Sequence, residues 1–313
     1  MIRLFCIALA GLFATACATT QPAAAAGDKL IALSFDDVPR TRGPWLSHDE
    51  RTRRLIAALD EANVDQAVFF LNPGGITMEG KEGAGERIAA YVKAGHLIAN
   101  HTQTHARLSS TDLDEWLAGV DAAEEWLEGR EGYRAWLRYP YLDEGARDGA
   151  KRDASRRAIH ERGLRKAWVS VNASDWVFES AAITYERENR PYDREALGAA
   201  YVDHHVAAAE FYAELAERVA GRPVPHMMLL HETDIAAFYV DDLVAALRAK
   251  GWTIVSPDIV YADPAYDAYP VTDWSGGTLF EQLAWQADLP EPRWFDGNNE
   301  EALKTMIDER IAR

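Results

Sequence analysis

Acidic, imidazole and guanidinium side chains follow five short apolar runs along this chain of 313 residues. Asp36 and Asp37 end the first run. The later groups are His101 with His105, Arg138-Tyr139-Pro140-Tyr141, Asn172 with Asp175 and Trp176, and His231 with Glu232. Taken singly, adjacent aspartates cap turns, paired histidines lie on surfaces and an arginine forms a salt bridge. Their recurrence after successive apolar runs instead predicts one site, because ligands gather at the carboxyl ends of parallel strands.

The residue types restrict what kind of metal site the chain can build. Both cysteines lie within the first 17 residues, so His, Asp and Glu would have to supply the ligands. His101 and His105 are four residues apart, and on a helical turn such positions share one face. Two histidines and one aspartate make a three-ligand zinc site with an open position, which is the catalytic kind.

Short apolar runs alternate with helical patterns over most of the chain. The predicted strands are 30–35, 66–71, 96–100, 135–139, 166–171, 226–230 and 252–255, and the predicted helices are 49–62, 111–128, 193–220, 241–250 and 299–311. This alternation predicts one α/β domain with a parallel sheet, open or closed into a barrel. We expect residues 28–260 to form it and residues 261–313 to pack on it as an extension.

The first 26 residues are typical of an export signal followed by a linker. Arg3 precedes an apolar run of 11 residues, 4–14, which suits a signal peptide and is too short to span a membrane, since that needs about 20 residues. Ala14-Thr15-Ala16-Cys17 resembles a lipoprotein signal that would lipidate Cys17, and the small residues 23–26 offer ordinary cleavage sites instead. We therefore expect export to the periplasm or cell envelope, either free or as an outer-membrane lipoprotein whose only membrane attachment is the anchor at Cys17.

The composition is that of an acidic globular protein. Hydrophobic residues make up 48% of the chain, and its formal net charge is −17 at pH 7. Such a charge repels phosphates, so nucleic acid and anionic membrane surfaces are excluded as main partners. A neutral glycan is compatible with it. The oligomeric state is left open.

The polar groups together resemble the polysaccharide deacetylase family, the NodB-homology domain of carbohydrate esterase family four. The resemblance rests on five segments in family order: Ser34-Phe35-Asp36-Asp37, His101 to His105, Arg138 to Tyr141, Asn172 to Trp176, and Leu229-Leu230-His231. It implies a distorted (β/α)7 barrel, an acetylated glycan as substrate and a hydrolase that removes N-acetyl, or alternatively O-acetyl, groups. Peptidoglycan and chitin-type GlcNAc polymers are the expected substrates.

The resemblance also implies a role for each matched residue. Asp37, His101 and His105 would bind a divalent metal, Zn²⁺ first and Co²⁺ or Ni²⁺ as alternatives. Asp36 would take a proton from a metal-activated water, and His231 would protonate the leaving amine. Arg138 would hold Asp36, and Asp175 would orient His231. Pro140, Tyr141 and Trp176 would line the substrate site, with the Tyr141 backbone N–H at the oxyanion.

Two departures from the family pattern keep other functions open. Val38 stands where the family has glycine, and Asn172 stands where it has an acid. A glycan-binding envelope lipoprotein without turnover, a structural envelope protein with a vestigial site and a small-molecule amidase on the same scaffold are the alternatives. His204 and His205, with Glu210 nearby, offer a less favoured second metal site. Among the tryptophans, Trp45, Trp274 and Trp294 are the best candidates for stacking on sugars.

Overall fold

The structure is a computed structural model that describes residues 29–312. The predicted export signal, linker and Cys17 anchor lie outside these residues. None of the helices within 29–312 is both long enough and apolar enough to cross a membrane.

Eight strands form one parallel sheet whose central strand is β1 (Lys29–Val38). The others are β2 (Val68–Leu71), β3 (Leu97–Asn100), β4 (Tyr133–Leu137), β5 (Arg165–Lys166), β6 (Val171–Asn172), β7 (His226–His231) and β8 (Trp252–Ile254). Their order is β5-β4-β3-β2-β1-β7-β6, and β8 pairs with the beginning of β1. Apolar side chains fill both faces of the middle strands, as expected for a parallel sheet covered by helices.

Ten α-helices accompany the strands in the described part of the chain. They are α1 (His48–Glu61), α2 (Ala84–Lys93), α3 (Leu113–Leu127), α4 (Gly149–Glu161), α5 (Trp176–Arg187), α6 (Arg194–Ala220), α7 (Asp234–Ala249), α8 (Pro257–Tyr261), α9 (Leu279–Gln286) and α10 (Glu300–Ile311). The curled parallel sheet with its surrounding helices confirms the α/β fold class and the distorted (β/α)7 barrel that the sequence predicts.

The predicted strand 166–171 is wrong as one continuous element. Its two ends are separate strands that belong to opposite edges of the sheet: β5 pairs with β4, and β6 pairs with β7. Between them, Ala167 N–H donates to Leu137 O and Ser170 N–H donates to Met227 O. This short segment therefore joins the two edges, and the sheet curls into a barrel.

Several helix predictions also need correction. Helix α7 begins seven residues before the predicted start, because Thr233 caps it by accepting a hydrogen bond from Ala236 N–H. Helices α2, α4, α5 and α9 were not predicted. Helix α10 lies close to the predicted 299–311, and its Leu303, Ile307 and Ile311 are buried in the main core. The division into barrel and extension stays a prediction.

Strand register brings the ends of the strands level with one another. Asp36 is opposite His231 in the β1–β7 pair, Leu71 is opposite Asn100 in β2–β3, and Asn100 is opposite Leu137 in β3–β4. The segments that follow these strands therefore begin at the same edge of the barrel. This edge carries the polar residues singled out in the sequence.

Candidate active site

Three side chains converge at the end of β1 and just beyond the end of β3. His105 Nε2 lies 2.9 Å from Asp37 Oδ1, and His101 Nε2 lies 3.4 Å from the same oxygen. One ligand atom from each residue falls within 4.8 Å of the other two. Within residues 29–312 this is the one cluster of three or more His, Cys, Asp or Glu side chains with such a spacing.

The hydrogen bond behind His101 indicates which of its ring nitrogens faces Asp37. His101 Nδ1 lies 2.8 Å from Arg138 O, and a carbonyl oxygen only accepts, so Nδ1 carries the proton. In the neutral imidazole, Nε2 then points a lone pair toward Asp37 Oδ1. That oxygen is buried and accepts no hydrogen bond from any described residue. Lone pairs that face one another across 3.4 Å fit a cation between them.

The charge states around Asp37 suit the same cation. Burial by itself raises the pKa of Asp37, but the neighbouring imidazoles of His101 and His105 hold it well below its ordinary value, so it stays ionised. Burial lowers the pKa of His105, which favours the neutral imidazole. An ionised carboxylate and two neutral imidazoles are the forms that ligate divalent metals.

Asp36 is held from behind by Arg138. The guanidinium Nη1 donates to Asp36 Oδ1 at 2.9 Å and to Oδ2 at 3.2 Å, and both side chains are buried. Arg138 also donates to Ser34 Oγ, Ala167 O and the Tyr261 hydroxyl. A buried carboxylate so paired avoids the cost of an isolated charge and has little freedom to rotate.

Across the cavity, the partly buried His231 pairs with the buried Asp175. His231 Nδ1 lies 2.6 Å from Asp175 Oδ1, and the His231 backbone N–H donates to Asp175 Oδ2 at 2.7 Å. Burial alone would lower the pKa of His231, but the Asp175 carboxylate more than offsets this and raises it. His231 Nε2 is left facing the cavity, 3.7 Å from Asp37 Oδ2.

The three predicted substrate-site residues differ from one another in burial and in whether they line the cavity: Tyr141, Trp176 and Pro140. Tyr141 is 54% exposed and packs between His105 and Arg107. The ring centroids of Tyr141 and His105 are 4.4 Å apart, and the Arg107 Cζ atom lies 3.8 Å from the Tyr141 centroid. Trp176 is half-buried and lines the same cavity. Pro140 is buried at the start of the turn and is not among the cavity-lining residues.

Strained backbone is concentrated at this edge of the barrel. Among the non-glycine residues with positive φ are Asp37 at 67°, Thr102 at 65°, His105 at 59°, Tyr141 at 59° and Ser174 at 48°. Each belongs to one of the predicted segments. Such conformations cost roughly 1–3 kcal/mol each and persist where surrounding structure holds them, commonly at functional sites.

The cavity that these residues enclose has a volume of about 600 Å³ and includes residues that the sequence did not single out. Arg40 Nη1 lies 2.5 Å from Asp37 Oδ2. Arg107 lines the cavity and stacks on the Tyr141 ring. Gly277 and Glu300 come from the last 53 residues of the chain, where no motif marked them. Arg40 and Arg107 carried a weak signal, since each lies within three residues of the end of a motif.

The two departures from the family pattern have local explanations. Val38 is buried at the end of β1. Asn172 Oδ1 accepts a hydrogen bond from Ser174 N–H at 3.1 Å, so the amide still supplies the acceptor that shapes this turn. Neither residue displaces Asp36, Asp37 or His231.

The alternative metal site on α6 is not assembled. His205 Nδ1 contacts Tyr201 O at 2.7 Å inside the core, whereas Glu210 binds Lys29 and the Trp252 indole.

The three tryptophans expected to stack on sugars lie in two places. Trp45 donates to Glu186 and the Tyr192 hydroxyl and does not line the active-site cavity. Trp274 and Trp294 line a second cavity beside the first one.

Residues 23–163 match the sequence model of the family described as polysaccharide deacetylase. A peptidoglycan-N-acetylglucosamine deacetylase from Bacillus cereus is 30% identical over 112 residues, which is 36% of this chain and 36% of that protein. The alignment therefore spans about a third of the curated relative.

Solved structures support the fold. A CE4 family pseudoenzyme from Bacillus anthracis superposes with a TM-score of 0.50 at 16% identity, covering 75% of this chain and 66% of that one. A mutant of that pseudoenzyme with restored enzymatic activity superposes with a TM-score of 0.50 at 18% identity, covering 75% of this chain and 69% of the mutant's chain. With the barrel and the five motifs in place, residues 23–163 are similar to the polysaccharide deacetylase family.

Proposed function

We propose that this protein is a metal-dependent hydrolase that removes acetyl groups from an acetylated glycan. The observation that carries the proposal is the convergence of Asp37, His101 and His105 at one point, with Asp36 and His231 beside it. A carboxylate base and an imidazole acid on either side of one cation site are the groups that metal-dependent hydrolysis of an amide or ester requires.

Asp37, His101 and His105 would hold the metal. When bound, a divalent ion there would act as a Lewis acid that polarises the acetyl carbonyl and makes a water more acidic. One carboxylate and two imidazoles suit Zn²⁺ and accommodate Co²⁺ or Ni²⁺.

Asp36 is placed to act as the general base. It lines the cavity, and Arg138 fixes its orientation through both carboxylate oxygens. In the proposed reaction Asp36 takes a proton from the water whose oxygen forms the new bond to the acetyl carbon.

His231 is placed to act as the general acid. Because Asp175 engages Nδ1, the free Nε2 is the atom that faces the cavity. The Asp175 carboxylate raises the pKa of His231 against the effect of burial, which favours the protonated ring that this role requires. In the proposed step the carbon–nitrogen bond breaks, the leaving nitrogen takes this proton, and acetate and an amine result.

Tyr141 and Trp176 would contact the acetylated sugar. Tyr141 is exposed at the cavity rim, so we assign its backbone N–H to the developing oxyanion and its ring to the substrate side. Trp176 would wall the acetyl pocket. Pro140, buried behind them, would fix the turn that carries Tyr141.

A GlcNAc polymer of the peptidoglycan or chitin type is the proposed substrate. The similarity to the Bacillus cereus peptidoglycan-N-acetylglucosamine deacetylase supports this class. An envelope location follows from such a substrate and agrees with the export signal expected from the sequence.

A second candidate function is glycan binding without turnover. The contact of 2.5 Å between Arg40 Nη1 and Asp37 Oδ2 favours it, because a protein cation occupies one oxygen of the proposed ligand. Substrate assays separate the two functions: the binding protein would bind a glycan tightly and release no acetate from several substrates.

Acetate release tests the proposal directly. Metal-free protein reconstituted with zinc, cobalt or nickel would be incubated with acetylated chitooligosaccharides, peptidoglycan and acetylated xylan. We expect metal-dependent acetate release from at least one N-acetylated polymer. Metal-loaded protein that releases acetate from none of them would contradict the proposal.

A further inference from the structure

Three tryptophans cluster on the surface within residues 274–294. Trp274 is 56% exposed, Trp285 is 54% exposed and Trp294 is 41% exposed. Exposing three indoles together costs solvation free energy, and grouped aromatic surface of this kind marks a binding site more often than packing.

These indoles line a cavity of about 690 Å³, which we call the indole cavity. Arg147, Gln282 and Gly277 also line it, and Gly277 lines the candidate active site as well. A volume of this size lies within the range of about 300–1,000 Å³ that small-molecule sites occupy. A ligand held at the active site could therefore continue directly into the indole cavity.

The loop that carries Trp274 is anchored to the barrel. Ser275 N–H donates to Ala146 O at 2.7 Å, and Glu144 N–H donates to Ser275 O at 3.1 Å. Arg152 Nη1 donates to Thr272 O at 3.1 Å. Because these bonds hold the loop before any ligand arrives, little ordering cost would accompany binding.

The wall of the indole cavity also contains an unpaired polar group. Gln282 is 2% exposed, and its Nε2 donates to Glu144 Oε1 at 3.3 Å. Its Oε1 accepts no hydrogen bond from any residue that the structure describes. Apolar ring faces combined with an unused acceptor match a pyranose, which has C–H faces and hydroxyl donors.

We propose that the indole cavity binds sugar units of the glycan chain next to the unit being deacetylated. The proposal rests on the proposed function and narrows its substrate class to oligomers and polymers. Apart from Arg147, its residues belong to the last 53 of the chain, beyond the segment that the family model matches.

The test compares long and short substrates in one double variant. In Trp274→Ala/Trp285→Ala we expect kcat/KM for the GlcNAc hexamer to fall by about 10-fold, mostly through KM, because each lost indole removes buried contact area. Activity on single GlcNAc should stay within about twofold, since one sugar unit held at the active site does not reach the indole cavity. Trp126→Ala is the matched control, because Trp126 carries a stacked arginine, as Trp285 does, and lines neither cavity.

A binding assay without turnover separates this proposal from the proposed function. Hexamer binding to Asp36→Asn protein should quench tryptophan fluorescence and weaken when the two indole substitutions are added. If wild type releases no acetate but this dependence is seen, the indole cavity stands and the deacetylase proposal falls. Equal losses on the hexamer and on single GlcNAc, or unchanged hexamer kinetics, would overturn the proposed role of the indole cavity. A dimer of protein chains in sedimentation that the two indole substitutions dissociate would also overturn it.

Discussion

Asp175 uses both carboxylate oxygens on a single residue, His231. Oδ1 lies 2.6 Å from the ring Nδ1 and Oδ2 accepts the backbone N–H at 2.7 Å. The ring can therefore neither rotate nor shift along the strand without losing one of these bonds. This fixes which imidazole nitrogen faces the cavity and sets its proton affinity.

Asp175→Asn should change the pH dependence of catalysis. Asp175 raises the pKa of His231 against the lowering effect of burial, so removing its charge lowers that pKa. The acid form is then lost at lower pH, and the alkaline limb of kcat/KM moves to lower pH. We expect kcat to fall by about 10²-fold or more, as for loss of an acid–base group. A pH–rate profile with an unmoved alkaline limb would argue against His231 as the acid.

Arg138→Lys should impair catalysis while the protein still folds. Lysine keeps a positive charge but cannot reproduce the contacts of the guanidinium to Asp36, Ser34 and Ala167. Misplacing the base by about 1 Å costs on the order of 10²-fold in rate. Arg130→Lys, at an exposed arginine on Trp126, is the control and should be neutral. Steady-state kinetics with circular dichroism checks both variants.

Gly74→Ala should weaken metal binding through the loop that carries the two histidines. A Cβ at Gly74 would lie 2.5 Å from the backbone oxygen of Gln103, which sits between His101 and His105. The loop must shift to relieve this contact, so we expect a lower affinity for zinc by calorimetry. Gly85→Ala in α2 meets no atom within 4 Å and should be neutral or slightly stabilising. Equal zinc affinity in both variants would refute the coupling.

Glu179 should make stability depend on pH near neutrality. Burial, and then the neighbouring Asp234, raises the pKa of Glu179 from 4.5 to about 7. Above pH 4.5 the unfolded chain releases the proton of Glu179, whereas the folded protein keeps it. The contribution of Glu179 to the free energy of unfolding is therefore largest at low pH and is lost as the pH rises from 4.5 toward 7.

Glu179→Gln removes this titration and keeps the side chain's shape. Between pH 5.5 and 7.5 wild type should lose about 2 kcal/mol more unfolding free energy than the variant does. Urea denaturation of both proteins at the two pH values measures the difference, in which other titrating groups cancel. Parallel pH dependences would show that Glu179 is ionised throughout.

Local sequence patterns predicted the strands and the motif residues well. The middle strands are apolar enough to stand out, and each motif follows directly after its strand. The split of 165–172 into β5 and β6 could not be read from composition, because it depends on closure between β4 and β7. Gly277 and Glu300 were missed for a similar reason: they reach the cavity only through packing of the last 53 residues. Arg40 lies close to Asp37 in the sequence, but its contact with the Asp37 carboxylate depends on how the chain turns after β1.

The most direct test of the central claim compares wild type with Asp36→Asn at equal zinc content. The account predicts that both proteins bind one zinc ion and that wild type releases acetate from GlcNAc oligomers. It predicts that Asp36→Asn loses activity by at least about 10²-fold, because it has lost the general base. An Asp36→Asn protein as active as wild type, with zinc bound, would contradict the account.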